Sequence, residues 1–353
     1  MFASLRKSVR KRSFLKRDGV PAISLFTLLI VMLISLCALF IYKMFWAPNY
    51  SSDSKSKVVI IPRGANLGAI AEILKETDVI QSKPLFTLAG NVLGWSSTLK
   101  AGRYLLNDGL SNYELLHTLH EGRSILQMRV TIPEGFTAHQ IAQLCARELE
   151  IDSSKFMQIV NDRAFTVSLG INAPSLEGYL MPNTYSFYWY PDEKETVQTM
   201  VQEFKQFYTD SLKQRAADLG YTTGEVLSIA SLVEGEARVD SERAIIAGVY
   251  YNRLEKGMKL EADPTIQYIV EGGPRHLWHK DLRIDSPYNT YLYKGLPPTP
   301  INNPGKKSIL AALYPARHSY LYFVANGRGG HFFSKTYAEH QRAVRKYRAI
   351  RER

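Results

Sequence analysis

The chain has 353 residues, of which 45% are hydrophobic and 22% charged, so most of it has the apolar content to fold around real cores. Its net charge is +11, but seven basic side chains against the single acid Asp18 fall within the first twenty residues. That tail alone carries +6 of the total, so the basic balance does not indicate a nucleic-acid-binding surface.

The stretch "PAISLFTLLIVMLISLCALFIY", 21–42, holds no charged side chain. As a helix it spans about 33 Å, enough for a bilayer core. The run is long for a signal peptide and leaves through "KMFWAPNY" without a small-residue cleavage site, so it reads as a retained anchor over 21–43. The basic tail 1–20 then stays in the cytoplasm, Trp46 and Tyr50 suit the outer interface, and everything beyond about residue 50 is extracytoplasmic. Of the two cysteines, Cys37 falls within the span, out of reach of Cys145, so the exported part relies on packing and not on a disulfide.

Residues 44–57 are polar and Ser-rich, as in a flexible tether. "IPRGANLGAIAEIL" (61–74) and "IPEGFTAHQIAQLC" (132–145) then repeat at an offset of 71 residues, each reading as a strand end, a glycine turn and an amphipathic helix. Capping boxes mark helix starts at Ser111-x-x-Glu114 and Thr137-x-x-Gln140. These features outline a small α+β module over 58–150, ahead of a mixed domain over 151–353. The region 153–222 reads as mostly helical, interrupted by the aromatic run 175–192. A helical block follows over 223–256, then a long Pro- and Gly-rich segment, 257–305. An aromatic β-hairpin within 319–337 and a basic terminal helix close the chain.

The segment "SLVEGEA" places Glu234 and Glu236 near the end of a helix begun by Thr222-x-x-Glu225, with Asp240 as the cap of the next helix. At 100° per residue Glu234 shares a face with Leu227, Ala230 and Ala237, while Glu236 points to the opposite side. The two do not form a carboxylate pair, and Glu236 reads as a solvated or supporting residue. Glu234 against an apolar wall without a cation is a raised-pKa acid; paired with Arg243 or Arg253 it is a structural ion. Asp263 in "EADPTI" and Glu177 in "LEGYL" are further carboxyl candidates, although Asp263 before Pro264 is equally a turn former. His276 and His279 have no carboxylate or cysteine cluster beside them, so no metal or other cofactor is expected. Tyr288 and Asn289, in "YNTY" ahead of "GLPPTPINNPG", belong to a long ordered loop whose side-chain types suit a hydroxyl-rich polymer.

In order, "IPEG", "LEGYLMPNTY", "SLVEGEA", "ERAIIAGVYYNRL", "ADPTIQY", "SPYNTYLYKGLPPTPINNPG" and "YLYFVANGRGGHFF" closely resemble the endolytic murein transglycosylase family (MltG, YceG-like). The resemblance covers about 58–345 together with the anchor. It implies a LysM-like module near the membrane and a catalytic domain with a lysozyme-like helical element, an α+β fold overall. It also implies that Glu234 is the catalytic carboxyl, protonating the bond between N-acetylmuramic acid and N-acetylglucosamine and then acting as base while a 1,6-anhydro ring closes. Such chemistry needs one carboxyl group and leaves Glu236 without a catalytic task. Glu177, Tyr185, Asp263, Tyr288 and Asn289 become the expected substrate contacts, and nascent glycan strands and penicillin-binding synthases the expected partners. A muramidase-type hydrolase and a non-catalytic peptidoglycan-binding scaffold are the rival readings. One departure is visible: Asn183 stands where the family usually has Asp.

Overall fold

The computed structural model describes residues 25–124, 126–187, 191–273 and 275–351. The basic tail, the first residues of the expected span and positions 188–190 of the aromatic run lie outside them. The chain divides into two compact units, 1–124 and 125–353.

The first unit begins with α1 (Leu25–Phe45), whose mean hydropathy of 2.8 and 21-residue length fit a membrane crossing. Its side chains are exposed along nearly the whole helix, the reverse of a soluble core helix. After it come β1 (Lys57–Ile61), α2 (Leu67–Glu76), α3 (Lys83–Val92), β2 (Gly102–Leu106) and α4 (Asn112–Glu121). Strands β1 and β2 pair antiparallel, from Lys57 opposite Leu106 to Ile61 opposite Gly102. Period-2 burial turns Val59 and Ile61 inward, and Ile70, Leu74, Phe86, Leu115 and Leu119 are buried in the same unit. The stretch after the membrane helix is more ordered than its serine content suggests. The Asn49 amide donates to Leu110 O at 3.0 Å and Asn112 Oδ1 at 3.1 Å, and Ser51 Oγ donates to Asp108 at 2.7 Å. A Ser-rich composition says nothing about such long-range polar partners.

The second unit starts with β3 (Met128–Thr131), α5 (Ala138–Leu149), α6 (Ser153–Val160), α7 (Arg163–Ser168) and β4 (Thr184–Phe187). The second copy of the repeat, expected within the 58–150 module, therefore builds this unit: β3 pairs antiparallel with β4, Met128 opposite Phe187, and α5 packs on α6. Helices α8 (Glu193–Phe207), α9 (Asp210–Asp218), α10 (Thr223–Glu236) and α11 (Arg243–Glu255) follow. The expected box starts α10, with Thr222 and Glu225 exchanging side-chain and backbone bonds, worth about 1 kcal/mol. The α10 helix is buried on every side from Val226 to Val233, because α9, α11 and α12 (Asp263–Ile269) together with α13 (Lys306–Leu313) surround it. The segment 257–305, expected to be irregular throughout, thus contains α12, which has Pro264 in its first turn. Asp240 does not cap α11; it heads a 3-10 turn, and its carboxylate accepts from Arg243 Nε at 3.1 Å. The hairpin forms as β5 (Tyr322–Ala325) and β6 (His331–Ser334), and the basic helix as α14 (Tyr337–Arg351).

Candidate active site

A cavity of about 870 Å³ opens in the second unit where the β3–α5 turn, the end of α10 and α12 meet. Gly135, Thr137 and Gln140 form one wall, Gly235 and Glu236 a second, and Asp263, Gln267 and Tyr268 a third. Gly235 lets the helices come this close: a Cβ there would stand 2.6 Å from Pro264 Cβ. The small residue between the two glutamates thus seats α12 on α10.

Glu234 and Glu236 leave the helix in different directions and do not pair. The Glu234 side chain is 7% exposed and lies beside the glycine turn, its Cγ 3.4 Å from where a Cβ on Gly135 would be. Its Oε1 accepts from Arg243 Nη1 at 3.0 Å, and its Oε2 accepts from the Gly305 N–H at 2.9 Å. Of the two readings open for Glu234, the ion pair is the one that forms, and Arg243 is the partner. Arg243 also contacts Ser308 and Asp240. Arg253 is engaged elsewhere, with Leu321 O, Leu260 O and Glu261. Glu234 is therefore not an isolated acid: Arg243, the first residue of α11, brings a guanidinium to it.

Of the two readings open for Glu236, solvated or supporting, the structure gives a half-buried side chain on the cavity wall. It is the last residue of α10, where the backbone turns extended at Ala237, and it faces Asp263, the first residue of α12. Burial, then the Asp263 charge, pushes its carboxyl up to about 8, although it accepts the Asp263 N–H. The wheel separates the two glutamates by angle alone, and Asp263 arrives beside Glu236 from another helix. Asp263 lines the same cavity and accepts from the Tyr291 hydroxyl at 2.6 Å.

Glu177 also reaches the cavity but is 6% exposed. It accepts from the Ala138 N–H at 3.0 Å and Asn303 Nδ2 at 2.9 Å, and burial pushes its carboxyl up to about 8. It thereby ties the start of α5 to the loop before α13. Three expected substrate contacts have structural partners instead of positions on this wall. Tyr185 is buried on β4 opposite Val130, its hydroxyl donating to Met181 O. Tyr288 donates or accepts with Thr299 Oγ1 at 2.8 Å and packs on the cavity residue Tyr268 at 5.0 Å between ring centres. Asn289 is fully buried: its amide donates to Leu282 O and Ile284 O, and its Oδ1 accepts from the Tyr291 N–H, fixing the loop that presents Tyr291. Asn302, on the cavity wall, is the residue sequence reasoning missed; nothing in its local pattern distinguishes it from Asn303. At the departure from the family pattern, Asn183 Nδ2 donates to Glu203 Oε1 at 3.0 Å, a bond an aspartate there does not make. His276 and His279 are exposed.

The model of the YceG-like family matches residues 59–346. The chain belongs to the YceG-like family. This YceG-like chain is 36% identical over 312 residues to the endolytic murein transglycosylase of Bacillus subtilis strain 168, covering 84% of this chain and 86% of that one. It is 29% identical over 331 residues to the endolytic murein transglycosylase of Streptococcus pneumoniae serotype 2 strain D39, of which it spans 59%. Among solved structures it is similar to a yceG-like protein from Listeria monocytogenes, with a TM-score of 0.57 and 32% identity, covering 82% of this chain and 98% of that one.

Proposed function

We propose that this YceG-like chain is a peptidoglycan lytic transglycosylase that cleaves between N-acetylmuramic acid and N-acetylglucosamine inside glycan strands, leaving a 1,6-anhydro end. The name of the Bacillus subtilis relative, matched over 84% of this chain and 86% of its own length, supports the reaction class. The observation that carries the site is a carboxylate, Glu234, held rigidly by Arg243 and the Gly305 N–H beside a cavity large enough for sugar rings. In the reaction the glycosidic oxygen receives a proton, the bond to C1 breaks, and the muramyl C6 hydroxyl attacks C1. Its proton passes to Glu234, so no water is consumed. Gly305 and Arg243 keep the carboxylate in one orientation, which favours a near-attack arrangement. In the one-carboxyl scheme Glu234 also donates the first proton.

The anchor reading extends this: α1 crosses the membrane with the tail cytoplasmic, and the cavity works on strands emerging outside, close to their synthases. The strand-helix-helix-strand order of the first unit supports a LysM-like glycan-binding module, and α10 with its terminal glutamate supports the lysozyme-like comparison. The expected result is that Glu234→Gln stops release of anhydro ends while the variant stays folded, with a lowered melting temperature because Arg243 loses its ion-pair partner. Full activity in that variant would sink the assignment. Products ending in a reducing sugar would make the enzyme a hydrolase, and intact glycan would leave the scaffold reading.

A further inference from the structure

We propose that the first unit lies against the outer face of the bilayer through α3, whose exposed stripe of Pro84, Leu88 and Val92 enters the lipid headgroup layer beside the end of α1. The proposal rests on the reading of α1 as a membrane span. Three observations lead to it.

First, α3 is fixed at the level where the span leaves the hydrocarbon. The 21 residues of α1 rise about 32 Å, against a hydrocarbon core of about 30 Å, so its last turn lies at the boundary. Lys43 in that turn is the first charged side chain after the uncharged run. Helices α3 and α4 both pack on α1. The junction is polar and specific: Asn112 Nδ2 donates to Met44 O at 3.0 Å, and Pro48 forms a β-bridge with Ser111. Asn49 is buried; its Oδ1 accepts from the Gln81 N–H at 2.9 Å, just ahead of α3, and its amide donates to Leu110 O, just ahead of α4. Both helices therefore start at the exit of the span.

Second, α3 is apolar on two faces. Phe86, Ala89 and Gly90 are buried within the unit, while Leu88 is 41% and Val92 62% exposed. Pro84, Leu88 and Val92 recur every fourth residue and so share one face, with Pro84 also exposed. A surface helix ordinarily turns a polar face to water, so a second apolar face calls for a second cover. Third, the surroundings have the chemistry of a headgroup layer. Trp46 and Tyr50 follow the span directly and are exposed, and Trp95 follows α3. Such rings, apolar in body and polar at one edge, favour the membrane interface. From Val79 to Asn107 the chain carries Lys83, Lys100 and Arg103 and no acidic side chain, so no carboxylate on α3 repels lipid phosphates.

The test uses the full chain in liposomes, with a nitroxide on single cysteines. Spin resonance reads its collisions with dissolved oxygen, which concentrates in lipid, and with a nickel chelate confined to water. Cys145 is fully buried and stays unlabelled. Native Cys37 reports the span, and in a Cys37→Ala background Val92→Cys and Leu88→Cys report α3. Ile60→Cys, at a position as exposed as Leu88 but on β1, is the control. The expected oxygen-to-nickel collision ratio is severalfold higher at Val92 and Leu88 than at Ile60, and highest at Cys37. Either α3 label decides the matter if the other variant does not fold. The proposal is overturned if both α3 labels give the aqueous ratio of Ile60 while Cys37 gives a lipid one. Dipolar broadening at Val92 that disappears on dilution with unlabelled chain would make the cover a second copy, and a ratio that rises only with added glycan would make it a saccharide; either overturns the proposal. An aqueous ratio at Cys37 would overturn the anchor reading itself, and this proposal with it.

Discussion

The segments 61–74 and 132–145 begin alike: a strand, a glycine at φ 75° or 78°, and a capped helix whose buried face is Leu67, Ile70, Ala71 and Leu74 in one and Ala138, Ile141, Ala142 and Cys145 in the other. They differ in what packs on the turn. At Gly64 a Cβ would meet nothing within 4 Å, whereas at Gly135 it would meet Glu234. The second turn is also held from two distant places, since Asn303 O accepts from the Gly135 N–H at 2.9 Å and Glu177 accepts from the Ala138 N–H. One local pattern therefore serves as a plain folding unit in the first case and as a cavity wall in the second. Local physics sets the turn and the helix, and the elements that arrive later in the chain decide what the turn is for.

The largest effect that sharpens this contrast comes from the residue beside the second turn. Glu234→Gln is expected to lower the rate of glycan cleavage by about 10²–10⁴-fold, read as anhydro ends released per unit time, in a variant that still melts cooperatively but at a lower temperature. Next come the two glycines. A Cβ at positive φ costs about 1–2 kcal/mol at either site, so Gly64→Ala and Gly135→Ala should lose similar stability in denaturant titrations. Only Gly135→Ala should also lose about tenfold in kcat/KM, because relief of the backbone strain there moves a turn that touches Glu234. Equal activity in the two variants would remove the distinction between the turns.

How much of this was legible in the residues follows from range. The Thr222, Thr137 and Ser111 caps, the α10 span and the hairpin all formed where short-range patterns placed them, because their hydrogen bonds close within a few residues. The surroundings of Glu236 were not legible. Its helical angle is a local quantity, and Asp263, the charged neighbour that helps raise its carboxyl, comes from α12. For Glu234 the candidates Arg243 and Arg253 were both nameable, but only the packing of α11 on α10 selects Arg243. The roles of Tyr288 and Asn289 were likewise hidden, since a loop that orders itself and a loop that binds sugar use the same residue types.

Smaller effects probe the pins on the second turn. Glu177 keeps its proton to about 8 in the folded chain, against a value of 4.5 when unfolded. Between those limits the unfolded state has released a proton that the folded state retains, so stability is full below the lower value and is lost as pH rises through the upper one. Glu177→Gln should make that decline shallower, seen as a smaller drop in melting temperature between about pH 5 and pH 8. Smallest is Asn183→Asp, which sets a carboxylate against Glu203 at an exposed site and should cost less than about 1 kcal/mol.

The most direct measurement is mass spectrometry of uncrosslinked glycan after incubation with the full-length chain in detergent, beside its Glu234→Gln variant. The account predicts shortened strands whose new muramyl ends are one water lighter than hydrolysed ends, and none from the variant. Strands shortened with ordinary reducing ends, or anhydro ends from the variant at the wild-type rate, would contradict it.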